Sequence, residues 1–201
     1  MKVLQILPQL NIGGVERGTL DLSKALIHKG HQSFVISGGG VLVDELTQCG
    51  AKHYEIPVHI KSLRTLSLAK RLSETISSID PDIVHVRSRM PAWVNYRAFK
   101  MLQKKPLLVS TFHGLYSFPI YSKVMSFVDH SIAISKTVER YILENYKLDK
   151  GDITVIPRGC DPLEFNNEVI NPVDKANIIE EFPQIVGKKV LTIPGRITKW
   201  K

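Results

Sequence analysis

Residues 1–40 read MKVLQILPQL NIGGVERGTL DLSKALIHKG HQSFVISGGG. A short apolar run over 3–7 is ended by Pro8 and a turn at Gly13-Gly14. Leu20, Leu22, Ala25, Leu26 and Ile27 then recur near helical spacing, and Gly30 follows the basic end as a stop signal. Phe34-Val35-Ile36-Ser37 is a second apolar run, leading into Gly38-Gly39-Gly40. Strand, glycine turn, helix and strand in that order predict a pair of parallel strands joined by a crossover helix.

The same rhythm continues outward. A short helix over 41–49 precedes a weak strand over 53–56, and a helix over 66–79 is stopped by Asp80-Pro81. Strands are predicted over 82–86, 107–111, 131–134 and 153–156, with helices over 92–103 and 137–145. Apolar strands alternating with helices predict an α/β class: a doubly wound, Rossmann-like parallel sheet covered on both faces. Beyond 158–165 the pattern changes to a polar connection, a helix over 174–182 and a new apolar run over 189–193. The expected organisation is one domain over 1–170, then a linker and the first strand of a second, truncated domain over 171–201.

Composition narrows the function classes. The chain has 201 residues, 43% hydrophobic and 23% charged, enough to bury a full core. No apolar stretch approaches the roughly 20 residues that cross a bilayer, and the start lacks a small-residue cleavage site. Cys49 and Cys160 stand far apart without a CxxC pair, which suits buried thiols in a reducing cytoplasm. The surplus of 27 Lys+Arg over 19 Asp+Glu, a net +8, favours a polyanionic partner: nucleic acid, an anionic membrane or phosphorylated small molecules. Nucleic acid rests on that charge alone and ranks last.

In open parallel sheets, ligands bind beyond the carboxyl ends of the strands. Gly13 and Gly14 follow the first strand, where bare backbone amides can approach a phosphate at a helix start, or simply make a tight turn. Their spacing matches neither GxGxxG nor a Walker loop. A dinucleotide-binding oxidoreductase would also want an acidic residue after the second strand, where Ser37 and three glycines stand. Arg87 and Arg89 flank Ser88 after the fourth strand; they suit phosphate or carboxylate recognition, or a solvated loop. His113 ends the fifth strand beside Gly114, as a hydrogen-bond donor to a sugar oxygen, a proton carrier, or a histidine satisfied under a loop. His85 lies inside a strand and reads as core. Ser135 follows the sixth strand and Arg158-Gly159 the seventh. Arg196 and Lys201 close the chain, able to reach one diphosphate or to form a basic tail. Basic stretches over 61–71 and 96–105, the second beside Trp93, Tyr96 and Phe99, are solvated helix faces or surfaces for anionic lipid.

Taken in order, these pieces resemble the family-4 glycosyltransferases of the two-Rossmann, B-type fold. The matching features are Gly13-Gly14-Val15-Glu16-Arg17, Asp80-Pro81-Asp82-Ile83-Val84-His85, Thr111-Phe112-His113-Gly114 and Ile132-Ala133-Ile134-Ser135. To these are added Ile156-Pro157-Arg158-Gly159-Cys160-Asp161, with Phe165, and Gly195-Arg196 with Lys201. The segment Arg87-Ser88-Arg89-Met90-Pro91-Ala92-Trp93 further resembles bacterial members acting on lipopolysaccharide or related envelope glycans. The resemblance implies retaining transfer from a nucleotide-sugar, UDP- or GDP-linked, to an acceptor hydroxyl, with no cofactor and no essential metal. It implies that Gly13 and Gly14 approach the donor phosphates and that His113 contacts the transferred sugar. Arg196 and Lys201 would neutralise the diphosphate, and Arg87, Arg89 and Arg158 would lie on the acceptor side. The acceptor would be a glycan or a lipid-linked sugar at the cytoplasmic face of the membrane, with no nucleic-acid partner. Two departures stand out: no acidic donor motif follows Lys201, and Arg158 occupies a place where the family commonly has asparagine. The chain is therefore expected to be the acceptor-side half, inactive alone. The alternative is a non-catalytic acceptor- or membrane-binding module left from a truncated gene.

Overall fold

The computed structural model describes residues 1–60, 67–116, 119–160, 162 and 170–192. Seven strands form one sheet: β1 Lys2–Ile6, β2 Gln32–Ser37, β3 Lys52–Glu55, β4 Ile83–Val86, β5 Leu107–Phe112, β6 His130–Ala133 and β7 Ile153–Val155. Every pairing is parallel and the order is β3-β2-β1-β4-β5-β6-β7, the doubly wound arrangement that the alternating sequence predicts. The helices are α1 Gly14–His28, α2 Val43–Gln48, α3 Ala69–Ile79, α4 Arg89–Phe99, α5 Pro119–Ser122, α6 Lys136–Asn145 and α7 Pro172–Glu181.

Register sets the two faces. Leu4 stands beside Phe34 and Val84, and Phe112 beside Ala133. Their shared face builds the larger apolar core with Leu72 and Ile76 of α3, Val94 and Ala98 of α4, and Val138 and Ile142 of α6. On the opposite face, Leu7, Val35, Leu20 of α1 and Leu46 of α2 make a smaller cluster. That second face also carries Gln5, which is in register with His85. A charged side chain there meets polar neighbours rather than core.

Differences from the sequence reading have local causes. The fourth helix begins at Arg89, not 92, because Pro91 falls in its first turn, where a missing N–H costs nothing. Asp80, at φ 49°, closes α3 in a left-handed cap ahead of Pro81. The run over 189–193 forms no strand over its described part, 189–192. A strand needs a neighbour for its N–H and C=O groups, and none of the seven strands pairs with it. Cys160 is exposed rather than buried, in the loop after β7. The chain divides into two compact units, Met1–Arg158 and Gly159–Lys201. The second contains α7 and a 3-10 turn, Pro183–Ile185, neither with a buried side chain. Among the described residues no helix is long and apolar enough to cross a membrane.

Candidate active site

The strand order reverses between β1 and β4, and a crevice opens there beyond the carboxyl ends of the strands. The start of α1 forms one wall. Gly13 is the extended residue before the helix, with no side chain capping the first turn, so no side-chain oxygen competes for its free N–H groups. The triple glycine does not serve as a second phosphate turn. It braces this wall instead: Gly38 N–H donates to Pro8 O at 2.9 Å and Leu10 N–H to Gly39 O at 2.8 Å. At Gly40, φ +141°, a Cβ would meet the Leu10 carbonyl carbon at 2.4 Å, so only glycine fits there.

Arg87 rises from the end of β4 and is 6% exposed. Its Nη1 donates to Gln5 Oε1 at 2.8 Å, while its Nε is buried without a partner. Gln5 in turn donates from Nε2 to Thr19 O at 3.1 Å and Ser23 Oγ at 3.0 Å, which ties the arginine to α1. Burial, and then the charge of Arg158, push the Arg87 guanidinium down to about 10. Arg158, just past β7, donates from Nη2 to the Gly14 carbonyl. Gly14 and Gly18, one helical turn apart, leave the room both guanidiniums use: a Cβ on Gly18 would meet Arg158 Nη2 at 2.2 Å and Arg87 Nη2 at 3.3 Å.

His113 completes the cluster from the end of β5. Both ring nitrogens are buried without a hydrogen-bond partner. Burial, with the positive charges of Arg87 and Arg158, holds its pKa down to about 3, so the imidazole is neutral at physiological pH. One nitrogen can donate to a ligand oxygen and the other can accept. His85, behind it, is buried with Nε2 at 2.7 Å from Thr111 Oγ1, which matches its reading as a core residue.

Arg89 goes elsewhere. Its guanidinium stacks between Tyr116 and Tyr121, 5.0 and 5.3 Å from the ring centres, and Nη1 donates to Ser122 Oγ at 3.3 Å. Tyr116 OH accepts from the His113 N–H at 3.3 Å. Arg89 thus holds the segment that presents His113. Ser135 caps α6, accepting from Val138 N–H at 3.2 Å, a structural task. Arg196 and Lys201 lie outside the described residues, as does 61–66 of the first basic stretch. Sequence reasoning missed Gln5 and Gly18, which sit inside a strand and a helix rather than at strand ends. It also missed His59, whose Nδ1 is buried without a partner beside Gly38. Among the described residues, no three His, Cys, Asp or Glu side chains converge as a metal ion would need.

The model of Glycosyltransferase Family 4 matches residues 12–163, the span that carries Gly14, Arg87, His113 and Arg158. The chain belongs to this family. One relative, the human phosphatidylinositol N-acetylglucosaminyltransferase polypeptide, is 25% identical over 208 residues, covering 93% of this chain and 42% of its own. A glycosyltransferase from Rickettsia africae superposes over 100% of this chain and 54% of its own, with a TM-score of 0.81 and 35% identity. HepE of Anabaena, solved in complex with UDP and glucose, has a TM-score of 0.70 at 16% identity, over 90% of this chain and 50% of its own; that likeness is one of fold. This family-4 chain therefore spans about half the length of the relatives it matches.

Proposed function

We propose that this chain is the acceptor-side half of a retaining glycosyltransferase. It would serve transfer from a UDP- or GDP-linked sugar to a hydroxyl of an envelope glycan or lipid-linked acceptor, such as a lipopolysaccharide core. The observation that carries the reading is His113. It is a neutral imidazole with two open nitrogens, flanked by two guanidiniums at the switch point of the sheet. A neutral imidazole offers a hydrogen bond to a sugar hydroxyl without adding charge to a crevice that already holds Arg87 and Arg158. The free amides at the start of α1 suit the donor phosphates. Arg196 and Lys201 would offset the charge that grows on the diphosphate as the sugar leaves, where fixed positive groups lower the barrier most. The likeness to a UDP- and glucose-bound fold supports a nucleotide-sugar. The remainder of the donor site would come from a second domain, of which 171–201 is the beginning, so transfer by the 201-residue chain alone is expected to be negligible.

A membrane-facing surface is part of this reading. Lys100 stacks on Tyr96 at 4.3 Å, Lys123 lies 6.0 Å from the Phe127 ring centre, and Ile120 is 89% exposed. Cations set beside apolar side chains suit an anionic lipid surface at the inner face of the cell membrane. The deciding experiment is a saturation-transfer NMR screen of UDP-, GDP-, ADP- and CMP-linked sugars at millimolar concentration. One nucleotide class should bind, and Gly14→Val should weaken it. Binding of none of the four classes would overturn the proposal.

A further inference from the structure

Arg87 carries a buried charge that no carboxylate touches. Its one recorded bond is to the neutral amide of Gln5, and its Nε points at no acceptor. Among the described residues, no carboxylate forms an ion pair with either Arg87 or Arg158. Glu16 and Asp21 act on Arg87 through space, each more weakly than Arg158 does. A buried guanidinium without an anion is expensive, and a second one beside it raises the cost further. His113, which could have taken a proton, is kept neutral and leaves both nitrogens open. Gly18 keeps the space between the helix and the two guanidiniums clear of side-chain atoms.

From this we infer that the pocket of Arg87, Arg158 and His113 receives an oxyanion borne by the acceptor, a carboxylate or phosphate group on the glycan or lipid that is to be glycosylated. This rests on the glycosyltransferase reading above and adds the chemical class of the acceptor to it. Guanidiniums bind such groups through paired N–H donors, and neutral His113 can supply one more. The donor diphosphate has its own place in that reading, at the Gly13-Gly14 amides with Arg196 and Lys201. Arg87 is fixed one turn further along α1, through Gln5 to Thr19 and Ser23. Two separate sets of groups imply two separate anions.

The test is thermal unfolding and calorimetric titration of the 201-residue chain with inorganic phosphate, glucuronate and neutral glucose at matched ionic strength, each with and without saturating UDP. Phosphate and glucuronate should each raise the melting temperature, and glucose should not. Binding should weaken about tenfold or more, equivalent to about 1.4 kcal/mol, in Arg158→Gln. That side chain is exposed, so its removal leaves the fold intact. Arg87→Gln, if it folds, should do the same, and bound UDP should leave phosphate binding unchanged. The inference is overturned if neither anion binds, if Arg158→Gln binds them as the parent does, or if UDP displaces phosphate. The last outcome would assign the pocket to the donor. A chain that binds nucleotide-sugar but no separate anion would sink this inference and leave the proposed function standing. Loss of nucleotide-sugar binding itself would remove both.

Discussion

Gln5 is the side chain on which the buried charge of Arg87 depends, since its carbonyl oxygen accepts the one hydrogen bond recorded for that guanidinium. Gln5→Leu leaves Arg87 buried with no acceptor and should cost roughly 1–3 kcal/mol. Adding Arg87→Met should recover most of that loss, because it removes the stranded charge. Denaturant midpoints of the two single variants and the double variant check this, and purely additive losses would contradict it. His113 gives a second expectation at this scale. Its folded pKa, about 3, lies below the ordinary histidine value, so folding favours the neutral ring. Above pH ~6.5 that preference costs no stability. As the pH falls below that value the unfolded chain takes up a proton that the folded one refuses. Stability then drops by about 1.4 kcal/mol per pH unit toward pH 3. His113→Gln should flatten that slope between pH 7 and 5, and an unchanged slope would place the imidazole outside the buried cluster. Gly14, Arg87, His113 and Arg158 were legible in the sequence because each follows a strand. Gln5 was not, since an inward-facing residue of a buried strand looks like any other until its register with His85 is known. Arg89 was misplaced for a similar reason: two residues after Arg87 the strand has become a helix, so alternation no longer predicts a shared face.

At the scale of elements, α1 joins the fold to the site. Leu20 buries one side of the helix, while Gly14 and Gly18 leave the crevice side open to Arg158 and Arg87. Gly18→Ala gains helix propensity of about 1 kcal/mol but sets a methyl group against Arg87 Nη2. Net stability should therefore change little while phosphate binding falls. Calorimetry beside thermal unfolding separates the two, and unaltered binding would show that the space beneath Gly18 has no role. Leu72 of α3 is fully buried in the larger core, so Leu72→Ala should cost about 2–5 kcal/mol. The strands and most helices could be read from periodicity, since a sheet buried on both faces leaves continuous apolar runs. Helix starts were less legible, because Pro91 reads as a boundary although it sits comfortably in a first turn.

For the whole molecule, every buried apolar side chain recorded lies between Val3 and Ile153, inside the unit Met1–Arg158. A chain ending at Arg158 should therefore unfold cooperatively at nearly the parent temperature, and a drop of more than about 10 °C would contradict this. Binding to vesicles rich in anionic lipid should fall as salt rises from low to physiological strength and beyond. The run over 189–193 shows the reach of pattern reading, since apolar residues in series specify a strand only when a neighbouring strand is there to pair. The central claim is that His113 is a neutral, unpartnered imidazole at the place where a donor sugar is held. Long-range 1H–15N NMR of the histidine rings, from pH 7 to pH 4.5 and with a bound nucleotide-sugar, tests it most directly. The account predicts a neutral His113 throughout that range and a shifted ring nitrogen when the sugar nucleotide binds. Protonation near the ordinary histidine pKa, or a ring left unshifted by a bound nucleotide-sugar, would contradict it.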